Sequence, residues 1–194
     1  MKGEKREEKK NLLIVENNIK LTKRPIVIGA GPAGLFAAYT LALNGYKPIL
    51  LEQGKSVEER EKDVEDFITN RKLNPNSNVQ FGEGGAGTFS DGKLTTNLKD
   101  PLINFILNEF YIHGAKEDIL YDSRPHIGTD YLEKIVKNIR EEIIKLGGEF
   151  YFNHLFNDVK INENFATAYA KNLLNLVPLK KLCIYQNLIL EQII

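Results

Sequence analysis

Apolar and polar positions fall into blocks that predict strands and helices in turn. The apolar runs within residues 24–31 and 47–53 predict two short buried strands, the second of which ends in a carboxylate. Between them, the small and apolar residues of 32–45 predict a helix that ends at Gly45. Because two strands joined through a helix pair in parallel, this stretch predicts a strand–helix–strand unit.

The following blocks continue the alternation. Residues 56–70 predict an exposed helix whose start at Ser56 and Glu59 has the pattern of a capping box. A glycine-rich loop comes next, and the apolar content of residues 100–115 predicts another helix, followed by a short extended piece over 118–126.

A strongly periodic block comes last. Apolar positions along 130–148 share one helical face, with Asp130 and Glu133 as a capping box and Gly147 at the end. The aromatic and β-branched residues of 149–161 predict one strand, and the alternation of helices and strands predicts an α/β fold.

These blocks divide the chain into three parts. Residues 1–23 predict a charged, solvated lead-in, residues 24–162 the α/β domain, and residues 163–194 an atypical aliphatic tail. The tail has Pro178 near its middle and no clean period, and we interpret it as loose helix.

Composition narrows the class of protein. The chain has 26 basic residues (lysine plus arginine) and 26 acidic residues (aspartate plus glutamate). It therefore has no net positive charge that would attract nucleic acid. The lone Cys183 excludes an internal disulfide, and the three histidines lack metal-binding spacing, so no metal is expected. Neither a signal peptide nor a membrane span is predicted, and we expect a cytoplasmic protein.

The turn between the first strand and its helix carries a dinucleotide fingerprint. Gly29, Gly31 and Gly34 stand in GxGxxG spacing, and Glu52 follows eighteen residues later at the end of the second strand. Gly29 allows the sharp turn, Gly31 lets the backbone approach a pyrophosphate, and Gly34 lets the helix pack on the strand. The helix N-terminus attracts phosphate, and Glu52 can bind the ribose hydroxyls. The predicted cofactor-binding set here is Gly29, Ala30, Gly31, Pro32, Ala33, Gly34, Glu52 and Gln53.

The second glycine-rich stretch, residues 78–96, raises two alternatives. Gly87, Gly92 and Lys93 have P-loop spacing, but Leu94 stands where a magnesium-binding hydroxyl is required, which argues against a nucleoside triphosphate. The other alternative is a flavin, whose ring bulky side chains would obstruct. Both FAD and NAD use the strand–helix–strand unit, so the fingerprint alone does not choose between them.

Three segments together carry a resemblance to a known family. Residues 51–67, 76–96 and 124–152 resemble the prokaryotic FAD-dependent dehydrogenases, also called NAD(P)/FAD-dependent oxidoreductases, and the similarity runs from about residue 24 to about 160. It implies a Rossmann-like, glutathione-reductase-like FAD-binding fold in which the fingerprint and Glu52 hold the ADP half. The residues implied near the flavin half are Gly84, Gly85, Gly87 and Ser90, and the backbone of Val159 is implied at the adenine edge.

The family implies a longer protein than this chain. Its members have an additional N-terminal region, a substrate domain and a second FAD-contacting segment near the C-terminus. We therefore expect an incomplete FAD-binding domain, truncated or frame-shifted, that lacks the C-terminal half of the family fold. Whether the chain alone is an enzyme stays open, with NAD(P)H as the possible electron donor of a full-length enzyme.

Single residues allow two interpretations each. Lys93 could stabilise a reduced flavin or be a solvated loop lysine, and Asp91 could bind the flavin or form a turn. His126 has a suitable pKa for acid–base work but fits a structural role too, as does Arg124 in a surface ion pair. No residue is assigned as catalytic. Two other functions stay open: a truncated, non-catalytic nucleotide-binding module, and an NAD-dependent Rossmann dehydrogenase.

Overall fold

The computed structural model describes residues 21, 23–90, 92–94, 96, 100–161, 166–174 and 182–184. Within them, the strands are β1 (Ile26–Ile28), β2 (Ile49–Leu51), β3 (Glu149–Tyr151), β4 (His154–Ile161), β5 (Ala166–Asn172) and β6 (Leu182–Ile184). The helices are α1 (Pro32–Leu43), α2 (Val57–Asn70), α3 (Pro101–Ile112) and α4 (Thr129–Lys145), with short 3₁₀ turns at Ala86–Phe89 and Glu117–Leu120.

A three-stranded parallel sheet in the order β1-β2-β3 lies at the centre. The predicted strand–helix–strand unit is confirmed, because β1 and β2 pair in parallel with Ile26 opposite Ile49 and α1 connects them. Side chains alternate between the two faces, so that Leu50 packs among the helices while Ile49 and Leu51 face the other way. The prediction of an α/β fold is confirmed.

An antiparallel sheet, β4-β5-β6, covers the second face of the parallel sheet. The prediction of one strand over 149–161 is wrong: β3 ends at Tyr151, the backbone turns at Asn153 with φ of +59°, and β4 joins the other sheet. An asparagine tolerates this left-handed conformation better than most residues do.

The interpretation of the tail as loose helix is wrong for residues 166–172, which form β5. Ala166, Ala168 and Ala170 are buried at every second position, and Ala168 and Ala170 pack against the parallel sheet. Small alternate residues let the two sheets approach closely. Residues 182–184 are also a strand, and residues 173–174 form a turn; the rest of the tail, like residues 1–20, lies outside the described residues. The domain boundary at 162 stays a prediction.

The helix ends agree only in part with the prediction. Gly45 follows α1 with φ of +80°, and its N–H donates to the carbonyl of Ala42, as expected for a C-terminal glycine. The Ser56 side chain does not cap α2. The predicted box at Asp130 is wrong as well, since α4 begins at Thr129 after Gly128 and has no side-chain cap.

The remaining elements enclose the helical side of the core. The helix predicted over 100–115 is α3, capped by the Asp100 carboxylate, which accepts from the Leu102 N–H at 2.8 Å. The piece predicted as extended over 118–126 instead contains a 3₁₀ turn, and His126 pairs with Lys93 in an isolated antiparallel bridge. In the part of the chain that the structure describes, no helix is both long and apolar enough to cross a membrane.

Candidate dinucleotide site

The first and third fingerprint glycines have structural roles that are evident from their surroundings. Gly29 has φ of +90°, and its N–H donates to the Leu51 carbonyl at 2.7 Å, which holds the turn against β2. A Cβ on Gly34 would lie 1.9 Å from the Gly29 carbonyl oxygen, so only glycine lets α1 lie this close to the turn. These are the turn and the close packing expected of the two residues.

Gly31 is different, because no protein contact requires a glycine there. Its φ is −69°, which any residue adopts, and no atom lies within 4 Å of a Cβ built on it. The helix begins at the next residue, and both Pro32 and Ala33 are exposed. The first-turn N–H groups of a helix have no intrahelical partners and carry a partial positive charge. Ala33 and Gly34 supply such groups beside this open space, which suits an anion.

Glu52 lies directly after β2, and its carboxylate connects the fingerprint turn to the segment that follows β2. Its carboxylate is 6% exposed and accepts the Ala30 N–H at 2.7 Å on Oε2 and the Gly54 N–H at 2.8 Å on Oε1. A carboxylate oxygen has two lone-pair sites, so each retains one acceptor position. The side chain is therefore preorganised next to the fingerprint, with Gln53 beside it in sequence; the ribose contact stays a prediction.

The two glycine motifs, separate in sequence, contact each other. The Gly84 N–H donates to the Ala30 carbonyl at 2.8 Å. A Cβ on Gly85 would lie 3.3 Å from Pro32 Cδ and 3.5 Å from Gly31 Cα. Both loop glycines have positive φ, +81° and +66°. The glycine-rich loop thus packs against the N-terminus of α1, beside the open space at Gly31.

The other residues predicted near the flavin half lie further along this loop. Gly87, in the 3₁₀ turn, has no atom within 4 Å of a built Cβ, so no protein contact requires glycine there either. The Ser90 hydroxyl donates to the Gly87 carbonyl at 2.7 Å and accepts the Gly92 N–H at 3.2 Å, so it stabilises the loop itself. Lys93 pairs through its backbone with His126, and Asp91 lies outside the described residues.

Val159 is on β4, away from the fingerprint turn. The link from β4 to the turn is at its first residue, where the His154 N–H donates to the Glu52 carbonyl at 2.9 Å. Val159 follows five residues later, about 17 Å along the strand at the usual rise per residue. Its backbone N–H donates to its neighbour Asp158 at 2.8 Å. The adenine contact predicted for Val159 stays a prediction.

His126 and Arg124 belong to a different region. His126 lines a cavity of about 410 Å³ at the start of α4, together with Lys116, Asp122 and Tyr131. Arg124 is exposed, and its backbone N–H donates to the Asp122 carboxylate at 3.0 Å. The backbone bridge with Lys93 connects His126 to the end of the second glycine-rich stretch, and in the described part of the chain neither residue is seen to contact the fingerprint turn.

Sequence reasoning missed a buried charge cluster behind the glycine-rich loop. Glu83, within that loop, is fully buried, and its Oε2 accepts the Val57 N–H at 2.8 Å and pairs with Arg140 at 2.5 Å. Glu83, not Ser56, therefore caps α2. Burial raises the pKa of the Glu83 carboxyl to about 7, although Arg140 and the Val57 N–H favour its charged form.

Arg140 also pairs with Glu58, at 2.6 Å. Desolvation of Glu58 is the largest single effect and works toward a higher pKa, but the hydrogen bonds to the carboxylate and the charges of Arg140 and Lys137 together outweigh it and lower the pKa to about 2. Arg60, which lies on α2 like Glu58, is also fully buried. The sequence signals for the cluster were an acid among glycines at Glu83 and an arginine, Arg60, in a mainly acidic helix, and the sequence pattern does not connect these residues with Arg140.

A comparison with protein families identifies the fingerprint segment. Residues 27–57 match the model of the NAD(P)-binding Rossmann-like domain. Residues 27–57 form a Rossmann-like unit. The match covers β1, α1, β2 and Glu52, which is the part of the structure where Gly31 and the helix N-terminus face open space. This is consistent with the resemblance to NAD(P)/FAD-dependent oxidoreductases.

Two relatives that match this chain are much longer than the chain itself. An uncharacterized protein of Clostridium beijerinckii is 57% identical over 134 residues, a match that covers 69% of this chain and 25% of the relative. The chain thus spans about a quarter of that relative's length. An L-amino acid oxidase of Cerastes cerastes is 47% identical over 49 residues, which cover 24% of this chain and 10% of the relative.

Solved structures with a similar chain trace include a flavoprotein/dehydrogenase from Cytophaga hutchinsonii. It has 13% identity and a TM-score of 0.44, and the match covers 84% of this chain and 37% of that one.

Proposed function

We propose that this chain is the FAD-binding portion of a flavin-dependent oxidoreductase. One observation carries the proposal: the glycine-rich loop packs beside Gly31, where the backbone leaves open space that no protein contact explains. In this arrangement the pyrophosphate lies at the first turn of α1, and the flavin half extends toward Gly84, Gly85 and Gly87.

The chain's own residues bind and orient the cofactor. The N–H groups of Ala33 and Gly34 bind phosphate oxygens, and the remaining lone pairs of Glu52 accept the ribose hydroxyls. An acid at this position disfavours a 2′-phosphate. Loop residues without bulky side chains, Gly85 and Gly87, leave room for a planar ring. A bound flavin supplies hydride and electron transfer, which no protein side chain provides.

The reaction belongs to the longer protein. We propose a dehydrogenase that operates in the cytoplasm with NAD(P)H as electron donor, and a small-molecule substrate bound mainly by parts outside this chain. The proposal of a longer protein is supported by the relative from Clostridium beijerinckii, of which the chain spans about a quarter.

The family model supports a second candidate, because its description names NAD(P). In that case the Rossmann-like unit binds a nicotinamide dinucleotide, and the glycine-rich loop is only structural.

Calorimetric titration of the purified chain with FAD, ADP and NAD distinguishes these functions. We expect FAD to bind more tightly than ADP, because ADP lacks the flavin half, and NAD to bind more weakly than either. The variant Gly31→Val should lose FAD and ADP alike, since its side chain fills the space for the pyrophosphate. Tighter binding of NAD than of FAD would favour the second candidate, and unchanged FAD affinity in the valine variant would show that the site is elsewhere.

A further inference from the structure

We propose that Arg60 is a positioning residue for the flavin half of the cofactor: it fixes the glycine-rich loop against the fingerprint turn. This inference rests on the proposed function, because it assigns a role to Arg60 in binding the same FAD molecule. Arg60 itself does not contact the open space at Gly31.

Arg60 binds four backbone carbonyls of the loop, of which the Gly82 carbonyl, 3.4 Å from Nη1, is the most distant. Its Nε donates to Asn78 at 2.7 Å, Nη1 to Glu83 at 2.6 Å and Nη2 to Val79 at 2.8 Å. The side chain is fully buried in the first half of α2. A guanidinium has a rigid planar set of donors, so it holds several acceptors in one fixed arrangement, which an ammonium does not do.

The side chain also contacts both flanks of the glycines. A Cβ built on Gly82 would lie only 2.5 Å from Arg60 Cδ, so the arginine side chain passes directly over Gly82. Its guanidinium carbon lies 4.7 Å from the centre of the Phe89 ring. Burial lowers the pKa of Arg60 to about 10, which leaves it charged at neutral pH, with the carboxylates of Glu52 and Glu83 favouring that charge.

A short series of contacts connects Arg60 to the site. Arg60 binds the carbonyl of Glu83, and the N–H of the next residue, Gly84, donates to the Ala30 carbonyl in the fingerprint. Gly85 then packs against Pro32. Loss of Arg60 therefore releases the loop at the residues that would border the flavin half. The open space at Gly31 and the two hydrogen bonds of Glu52 do not involve Arg60, so the ADP half keeps its binding groups.

The ratio of FAD to ADP affinity tests this role, because a general loss of stability would weaken both ligands together. We compare wild type with Arg60→Lys, which keeps the charge but loses the planar donor set, by calorimetric titration. We expect the FAD affinity to fall about tenfold, as for the loss of one buried charge-assisted hydrogen bond, with ADP affinity within about twofold. The control is Arg71→Lys, an exposed residue just after α2, which should leave both affinities unchanged.

Each outcome of these titrations supports or overturns the positioning role of Arg60. Equal losses for FAD and ADP, or no loss, would overturn the positioning role while the proposed function stands. A wild-type chain that does not prefer FAD over ADP would overturn the proposed function, and the inference with it. If Arg60→Lys does not fold, Phe89→Leu removes the ring below the guanidinium without removing a hydrogen bond. An unchanged affinity ratio in Phe89→Leu would then overturn the role, and a smaller loss confined to FAD would support it.

Discussion

The packing of α1 on the fingerprint turn can be tested with one methyl group at Gly34. A Cβ there would lie 1.9 Å from the Gly29 carbonyl oxygen and 3.1 Å from the carbonyl carbon. Because both obstacles are backbone atoms, the helix and the turn must separate by more than about 1 Å to restore ordinary van der Waals distances. Overpacking of this kind costs about 1–3 kcal/mol, and we expect Gly34→Ala to reach the upper end, about 3 kcal/mol.

Gly31→Ala is the matched control, three residues away in the same motif. Its backbone conformation suits alanine, and a Cβ meets no atom within 4 Å. The reduced entropy of the unfolded chain and the poorer preference of alanine for a helix N-cap offset each other, so we expect a stability change within about 0.5 kcal/mol. Urea denaturation followed by circular dichroism measures both variants. Equal midpoints for Gly34→Ala and Gly31→Ala would refute the packing argument.

Three further predictions concern buried carboxylates. Glu52→Gln should cost about 1–3 kcal/mol of stability in urea denaturation and weaken FAD, because an amide NH₂ cannot accept an N–H; equal midpoints for variant and wild type would contradict this. The folded-state pKa of Glu83, about 7, lies above its ordinary 4.5, so its contribution to stability is largest below pH 4.5 and falls as pH rises to about 7. The stability difference between wild type and Glu83→Gln should therefore change between pH 5 and 8, and a constant difference would contradict the raised pKa. Tyr39→Phe should lower the melting temperature, because the Glu109 carboxylate loses the buried phenol hydrogen bond of 2.9 Å; an unchanged value would show that this bond contributes nothing.

The parts of the fold that sequence could predict are those that depend on neighbouring residues. Short apolar runs and a glycine turn were sufficient for β1, α1 and β2, because a parallel pair with a helical crossover is the simplest arrangement of such blocks. The roles of Gly29 and Gly34 were predictable for the same reason. Glu52 was placed correctly at the end of β2, although its hydrogen bonds to the backbone were not foreseen.

The parts that escaped prediction depend on contacts between distant segments. Glu83 caps α2 from 26 residues away and pairs with Arg140 from 57 residues away, and no local pattern reports either contact. Alternate alanines in β5 bury a face as valines would, but alanine carries no strong strand preference, so the segment resembled a helix. The break at Asn153 depends on which sheet each half of the predicted strand joins.

A crystal structure of the chain grown with FAD would show directly where the cofactor binds. We expect the pyrophosphate within hydrogen-bonding distance of the first-turn N–H groups of α1, next to Gly31, with the ribose on Glu52 and the flavin directed toward Gly85. Pyrophosphate density elsewhere on the molecule, with the space at Gly31 filled by the protein's own side chains, would contradict this expectation.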